Sequence, residues 1–113
     1  MRVMSDDLIC KMTAEVLKAL AHPARIKIVK MLSDQERCVC EIIPAVGIEQ
    51  SNLSQHLGIL KKQGIVDCRK EGTKVIYFVL YPTILDVVNI VENILLNQLS
   101  QSQSLLKQLN IGK

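Results

Sequence analysis

Residues 39–63 read VCEIIPAVGIEQSNLSQHLGILKKQ, two helical stripes separated by a glycine turn, and this stretch decides the architecture. In its first part Val39, Ile42, Ile43 and Val46 fall on one helical face, and Gly47 stands where helices end in the left-handed conformation. Pro44 lies late in that helix. It removes one backbone donor and crowds the carbonyl four residues back, so a short or kinked helix is expected. After Ile48, Glu49-Gln50-Ser51 is a capping sequence, Leu53, Leu57 and Leu60 form one stripe, and Gly64 ends it. Helix, tight glycine turn and helix at this spacing is a helix-turn-helix pattern, whose second helix is built to enter a DNA major groove.

Upstream, Ser5 is a plausible N-cap for a helix carrying Leu8, Met12, Val16, Ala19 and Leu20 at helical spacing as far as His22-Pro23. Pro23 suits the first turn of a second helix, in which Ile26, Ile28, Val29 and Leu32 run to a polar break at Ser33-Asp34-Gln35. Downstream of Gly64 the pattern turns to β. Residues 65–70 and 74–80 are rich in Val, Ile, Tyr and Phe, and Glu71-Gly72-Thr73 forms a turn between them, a hairpin that would be a wing. Pro82 opens a last long helix whose Ile84, Leu85, Val87, Val88, Val91, Ile94, Leu95 and Leu99 cover too wide an arc for one buried face. A second face therefore seeks a partner. The Gln/Ser-rich stretch from Gln98 to Ser104, followed by Leu105, Leu106, Leu109 and Ile111, either extends this helix or frays.

The expected fold is mainly α with a β-hairpin wing: one winged helix-turn-helix domain over residues 1–113, with five helices and two strands, working as a homodimer. The helix-turn-helix covers about 39–63, the wing about 65–80, the dimerisation helices about 5–20 and 82–99, and the tail is 100–113. A length of 113 residues suits one core, while 49% apolar residues with only 3% aromatics leave an aliphatic surplus that reads as a buried partner interface. The net charge of +3 fits a nucleic-acid binder only if the basic groups cluster. No run of about eighteen apolar residues occurs, and Met1 to Asp7 lacks the basic and apolar segments of a secretion signal, so a cytoplasmic protein with no membrane partner is expected.

With the leucine stripe inward, the opposite face of the second helix of the motif carries Ser51, Gln55, Gly58 and Lys62, flanked by Asn52, Ser54 and Ile59. Gln and Asn pair bidentately with adenine, Ser donates or accepts, and Lys61 or Lys62 reaches phosphate. Such a stripe taken alone is more often a solvated polar face. The hairpin's Arg69, Lys70 and Lys74 on the same side shift the balance to double-stranded operator DNA, because counterion release needs clustered cations. The expected DNA contacts are Gln50, Ser51, Asn52, Ser54, Gln55, Lys61, Lys62, Arg69, Lys70 and Lys74. His56 reads as a packed, hydrogen-bonded histidine and His22 as part of an interhelix turn. No acid or nucleophile is paired with either, so there is no catalytic constellation.

The stretch from Leu17 to Ile26, LKALAHPARI, and the stretch from Gln50 to Leu57, QSNLSQHL, resemble the opening motif and recognition helix of the ArsR/SmtB family of winged-helix repressors. Arg69-Lys70-Glu71-Gly72 is similar to the family's wing, and the likeness covers about residues 16–96. The resemblance implies a homodimer paired through its first and last helices, recognition helices in successive major grooves, no cofactor needed for DNA binding, and DNA release by an inducer. Arg37-Cys38-Val39-Cys40-Glu41 is similar to the family's soft-metal site at the start of the third helix. Two departures stand out: the position three places after the second cysteine is Ile43, and the last helix lacks the histidines of the family's zinc site, although Asp86 is present. Cys10 loosely resembles the N-terminal cysteines that complete thiolate sites in cadmium- and lead-responsive members.

The four cysteines, Cys10, Cys38, Cys40 and Cys68, are expected to be reduced in a cytoplasm. Three or four thiolates select As(III), Sb(III), Cd(II) or Pb(II), so Cys38 and Cys40 with Cys10 as third ligand form the expected inducer site. Residues i and i+2 of a regular helix do not face each other, so this pair can share an ion only where the helix start is irregular or distorted. Such distortion would displace the recognition helix. The helix N-terminus and Arg37 favour thiolates there. Cys68, alternating with Val66 on a strand, reads as structural. A redox or persulfide sensor of the same fold is the second reading, and a thiol enzyme such as a metalloid reductase the third, weakened by the absence of a glycine-rich oxyanion loop.

Overall fold

The computed structural model describes residues 5–109, the side chains of Leu106 and Leu109 apart. Its elements in chain order are α1 (Asp6–Leu20), α2 (Pro23–Asp34), β1 (Arg37–Cys38), α3 (Val39–Val46), α4 (Gln50–Lys62), β2 (Val66–Glu71), β3 (Lys74–Val79) and α5 (Ile84–Leu109). The chain divides into two compact units, Met1–Pro82 and Thr83–Lys113.

In the first unit local chemistry fixes most boundaries. The Ser5 hydroxyl accepts from Leu8 N at 3.2 Å and starts α1. His22 starts α2, its Nδ1 accepting from Ala24 N at 3.0 Å, with Pro23 in the first turn, where a missing N–H is harmless. α3 ends at Gly47, whose φ of 75° is the left-handed cap expected of it, and Pro44 is accommodated inside this two-turn helix. The capping sequence before α4 behaves differently from expectation: Glu49 is the N-cap but its side chain makes no capping hydrogen bond. The first amides of the recognition helix therefore lack a capping side chain.

The core of this unit is an aliphatic cluster. Ile28 and Val29 of α2, Ile42 of α3, Leu53, Leu57 and Leu60 of α4, and Ile65 and Val66 at the head of β2 are all buried. The Leu53, Leu57, Leu60 stripe turns inward as its spacing predicts, which leaves Ser51, Asn52, Ser54 and Gln55 in solvent. Truncating one such leucine to alanine costs about 2–5 kcal/mol, so the stripe holds α4 firmly in place.

The wing is a three-stranded antiparallel sheet in the order β1-β3-β2. β2 and β3 pair from Val66↔Val79 to Glu71↔Lys74 around Gly72, whose φ of 62° puts a positive-φ residue first in the loop, as a II′ hairpin requires. The expected two strands become three because Arg37 and Cys38 pair with Tyr77 and Ile76. Two residues are too few for alternation to betray a strand.

The apolar stripes of the first and last helices are only partly buried. In α1 only Ala19 and Leu20 are buried, while Leu8, Met12 and Leu17 lie open to solvent. The second unit is the single helix α5, on which Ile90, Val91, Ile94, Leu95, Leu96 and Leu99 are all at least half exposed. The Gln/Ser-rich stretch continues the helix through Leu105 to Leu109, and Ile111 lies outside the described residues. Among the described residues no helix is long and apolar enough to cross a membrane.

Candidate nucleic-acid interface and thiol cleft

α4 displays its polar face because the leucine stripe takes the other. Gln50, Ser51, Asn52, Ser54, Gln55, Lys61 and Lys62 are exposed, and the N-cap Glu49 makes no side-chain capping bond to the first turn. Gly58 on this face has no heavy atom within 4 Å of where a Cβ would stand, so its value is a low profile toward solvent.

The basic residues of the hairpin are not equivalent. Lys70 and Lys74 are exposed at the wing tip. Arg69 instead gives two hydrogen bonds to Glu36, at 2.9 and 2.7 Å, a longer one of 3.4 Å to Glu71, and lies over the Phe78 ring at 5.6 Å from its centroid. Hydrogen bonding to Arg69 holds the Glu36 carboxyl below its ordinary range, and the same bond raises the Arg69 guanidinium further above neutrality. Its charge is spent within the protein, and a phosphate would have to displace Glu36. Glu36, in the turn after α2, left no signal in the sequence because its partner is 33 residues away.

Lys61 lies at the base of the wing, its Nζ donating to Cys68 Sγ at 3.5 Å and lying 3.9 Å from Asp67. Cys68, foremost through that hydrogen bond, and then Asp67 raise the Lys61 ammonium above its ordinary value. Burial and then Cys68 push the nearby Tyr77 phenol up. Lys62 is exposed to solvent.

His56 packs against His22 with ring centroids 4.4 Å apart. It is packed as expected, but its buried Nδ1 has no hydrogen-bond partner among the described residues. Burial first, and then the charges of His22 and Arg25, hold its imidazole below the ordinary value, so it stays neutral near pH 7.

The cysteine pair sits at the junction of sheet and helix. Cys38 is both the last residue of β1 and the N-cap of α3. Its Sγ accepts from Cys40 N at 3.2 Å, while the Glu41 carboxylate accepts from Cys38 N at 3.1 Å, a capping box with sulfur in place of a hydroxyl. Being outside the helix, Cys38 meets Cys40 without any unwinding, with Cα atoms 5.1 Å apart and the two sulfurs joined as a disulfide. This is the irregular helix start that the pairing requires: an extended N-cap turns its side chain back over the first turn, so the sulfurs meet without distortion of α3. The expectation of four reduced cysteines is corrected, since Cys38 and Cys40 are joined. Cys10 and Cys68 are free, Cys10 exposed. Arg37, expected to support a thiolate, faces Asp34 at 3.6 Å and Glu41 at 3.9 Å. Among the described residues no three His, Cys, Asp or Glu side chains stand together as a metal site, so Cys10 does not join the pair within one chain.

Cys38 and Cys40 open on a cleft of about 640 Å³ between α3, α4 and the wing, whose walls include Gln50, Ser54, Lys74 and Tyr77. The thiol pair, two base-reading candidates and a wing lysine thus share one space.

A recognition helix held by an aliphatic stripe, with a basic-tipped β wing beside it, defines a winged helix-turn-helix DNA-binding protein. Residues 22–67 match the family described as bacterial regulatory protein, arsR family. The chain is 38% identical over 110 residues to the HTH-type transcriptional regulator Rv0081 of Mycobacterium tuberculosis, with 96% of each covered. The crystal structure of that protein superposes with a TM-score of 0.76 at 40% identity, over 87% of this chain and 98% of that one. The homodimeric winged helix-turn-helix domain of Mb0332 from Mycobacterium bovis gives a TM-score of 0.73 at 31% identity, over 87% and 95% of the two chains. The transcriptional repressor BigR from Xylella fastidiosa gives 0.68 at 33%, over 80% and 96%. The chain belongs to the ArsR family of transcriptional regulators. These are regulators rather than enzymes, which removes the thiol-enzyme reading.

Proposed function

We propose that this chain is a homodimeric, cytoplasmic repressor that binds operator DNA and lets it go when chemistry occurs at Cys38 and Cys40. In this reading α4 lies in the major groove, with Gln55, Asn52, Ser51 and Ser54 toward base edges and Gln50 at its leading end. Lys61, Lys62, Lys70 and Lys74 meet phosphates, and Arg69 follows only when freed from Glu36. The exposed apolar residues of α1 and α5 supply the dimer interface, since open aliphatic stripes of this extent mark partner surfaces. DNA binding needs no cofactor.

The observation that carries the switch is the shared cleft: Cys38 and Cys40 line the same space as Gln50, Ser54 and Lys74. A thiophilic inducer bound there alters the shape and charge beside the reading face. Two adjacent sulfurs fit part of a soft-metal site for As(III), Sb(III), Cd(II) or Pb(II), the third thiolate being Cys10 of a second subunit. The disulfide supports a second reading, that the pair senses oxidants or persulfides, because cytosolic disulfides are mostly transient and redox-active.

One titration tests both. Operator complexes of the wild type, Cys38→Ser, Cys40→Ser and Cys10→Ser receive arsenite, cadmium, zinc or a persulfide while fluorescence anisotropy follows release. Loss of release in the Cys38 and Cys40 variants, with DNA binding retained, is expected. A double variant that still dissociates at the same inducer concentration refutes the site.

A further inference from the structure

We propose that the cleft takes a small anionic thiol, which opens the Cys38–Cys40 disulfide and remains on Cys40 as a mixed disulfide. The proposal rests on the redox reading of this pair and names the class of molecule it meets. Size argues for an organic occupant. About 640 Å³ is the volume of a small-molecule site, and an ion held by two sulfurs would leave most of it unused.

Charge argues for an anion. Among the residues lining the cleft Lys74 alone is charged, while Gln50 and Ser54 add donors and no carboxylate faces it. The acid nearest the pair, Glu41, is turned to Cys38 N and Arg37.

Exposure sets the direction of reaction. Cys40 is open to solvent and Cys38 only 5% exposed, so an incoming thiolate reaches the Cys40 sulfur. A bond forms between the incoming sulfur and Cys40 Sγ, and the bond from Cys40 Sγ to Cys38 Sγ breaks. Cys38 leaves with the electron pair as a thiolate, the incoming sulfur becomes the oxidised partner in its place, and its proton has gone to solvent. The departing sulfur is the cap of α3, already facing Cys40 N at 3.2 Å, and amides at a helix N-terminus stabilise an anionic sulfur. The adduct then places carboxylates among Gln50, Ser54 and Lys74, where bases and phosphate would otherwise lie.

The test treats the oxidised full-length protein with glutathione, which is anionic, or with cysteamine, a small cationic thiol. The reaction is quenched in acid, free thiols are alkylated, and intact mass and peptide mapping locate the adduct. The expected result is one glutathione per chain on Cys40 with Cys38 alkylated. Relative to cysteamine, the yield should fall by about fivefold or more in Lys74→Gln, as loss of one nearby countercharge implies. Operator affinity of the adduct should fall by about tenfold or more, since a like charge is set beside phosphate. An adduct on Cys38, full reduction with no adduct at any thiol concentration, or a glutathione preference unchanged in Lys74→Gln overturns the proposal. An adduct on Cys40 that leaves operator affinity intact upholds the thiol site and refutes its coupling to DNA, and mass alone reads the site even if no operator is bound.

Discussion

Replacing Glu36 by glutamine tests how the wing's charge is rationed. In the folded protein the two oxygens of Glu36 take two N–H groups of Arg69 at 2.9 and 2.7 Å, and Glu71 adds a third contact at 3.4 Å. With the carboxylate replaced by a neutral amide, Arg69 keeps at most one uncharged hydrogen bond to the amide oxygen, the long contact to Glu71 and its stacking on Phe78, so a phosphate can win its guanidinium. Each phosphate neutralised steepens the plot of log affinity against log salt by about 0.9, so two subunits should add about 1.8 to the slope. A fourfold rise in salt, from about 50 to 200 mM, should then cost Glu36→Gln about twelvefold more affinity than it costs the wild type. The gain at low salt should be the same on operator and random DNA, since phosphate contacts carry no sequence information. Fluorescence anisotropy over a salt series reads both quantities. Arg69→Ala in the wild-type background should change the slope little. If Glu36→Gln leaves the slope unchanged while Arg69→Ala flattens it, Arg69 already reaches DNA past Glu36 and the reasoning fails.

Gln55→Ala should cost about 1–3 kcal/mol on operator and relax its sequence preference, whereas Lys74→Ala should weaken all sequences alike and flatten the salt slope by about 0.9 per site. Binding curves on operator and scrambled DNA separate the two, and equal effects on both DNAs would displace α4 from its assigned role. Ile94→Glu sets a charge on the exposed aliphatic stripe of α5 and should convert a micromolar dimer to monomer in sedimentation; a monomeric wild type would remove the premise. The His56 imidazole is depressed in the folded state, so the unfolded chain binds more protons as the solution is acidified. Its contribution to stability is therefore complete above its ordinary value near pH 6.5 and is lost as pH falls through the lower folded value. Denaturant midpoints across that range should show this dependence and His56→Gln should lack it.

Periodicity and punctuation settled much of this protein from the sequence alone. Leucines at 53, 57 and 60 had only one way to face a core, Gly47 only one easy conformation at the end of α3, and Ser5 and Pro23 the chemistry of helix starts, so the helices and the exposed polar face of α4 were legible residue by residue. The apolar excess on the first and last helices was visible as well, and it is solvent-exposed in the single chain because nothing local requires a helix to bury all its aliphatic residues at home. What the tertiary structure decided were pairings between distant segments. The third strand exists only because Arg37 and Cys38 find Tyr77 and Ile76, Arg69 is neutralised only because Glu36 arrives beside it, and the histidine pair forms only where α4 crosses the start of α2. The cleft is the clearest case. Cys38 and Cys40 lie 34 or more residues from Lys74 in the chain, and their sharing a space with it and with Gln50 follows from the packing of β1 onto β3, a contact that no local propensity encodes.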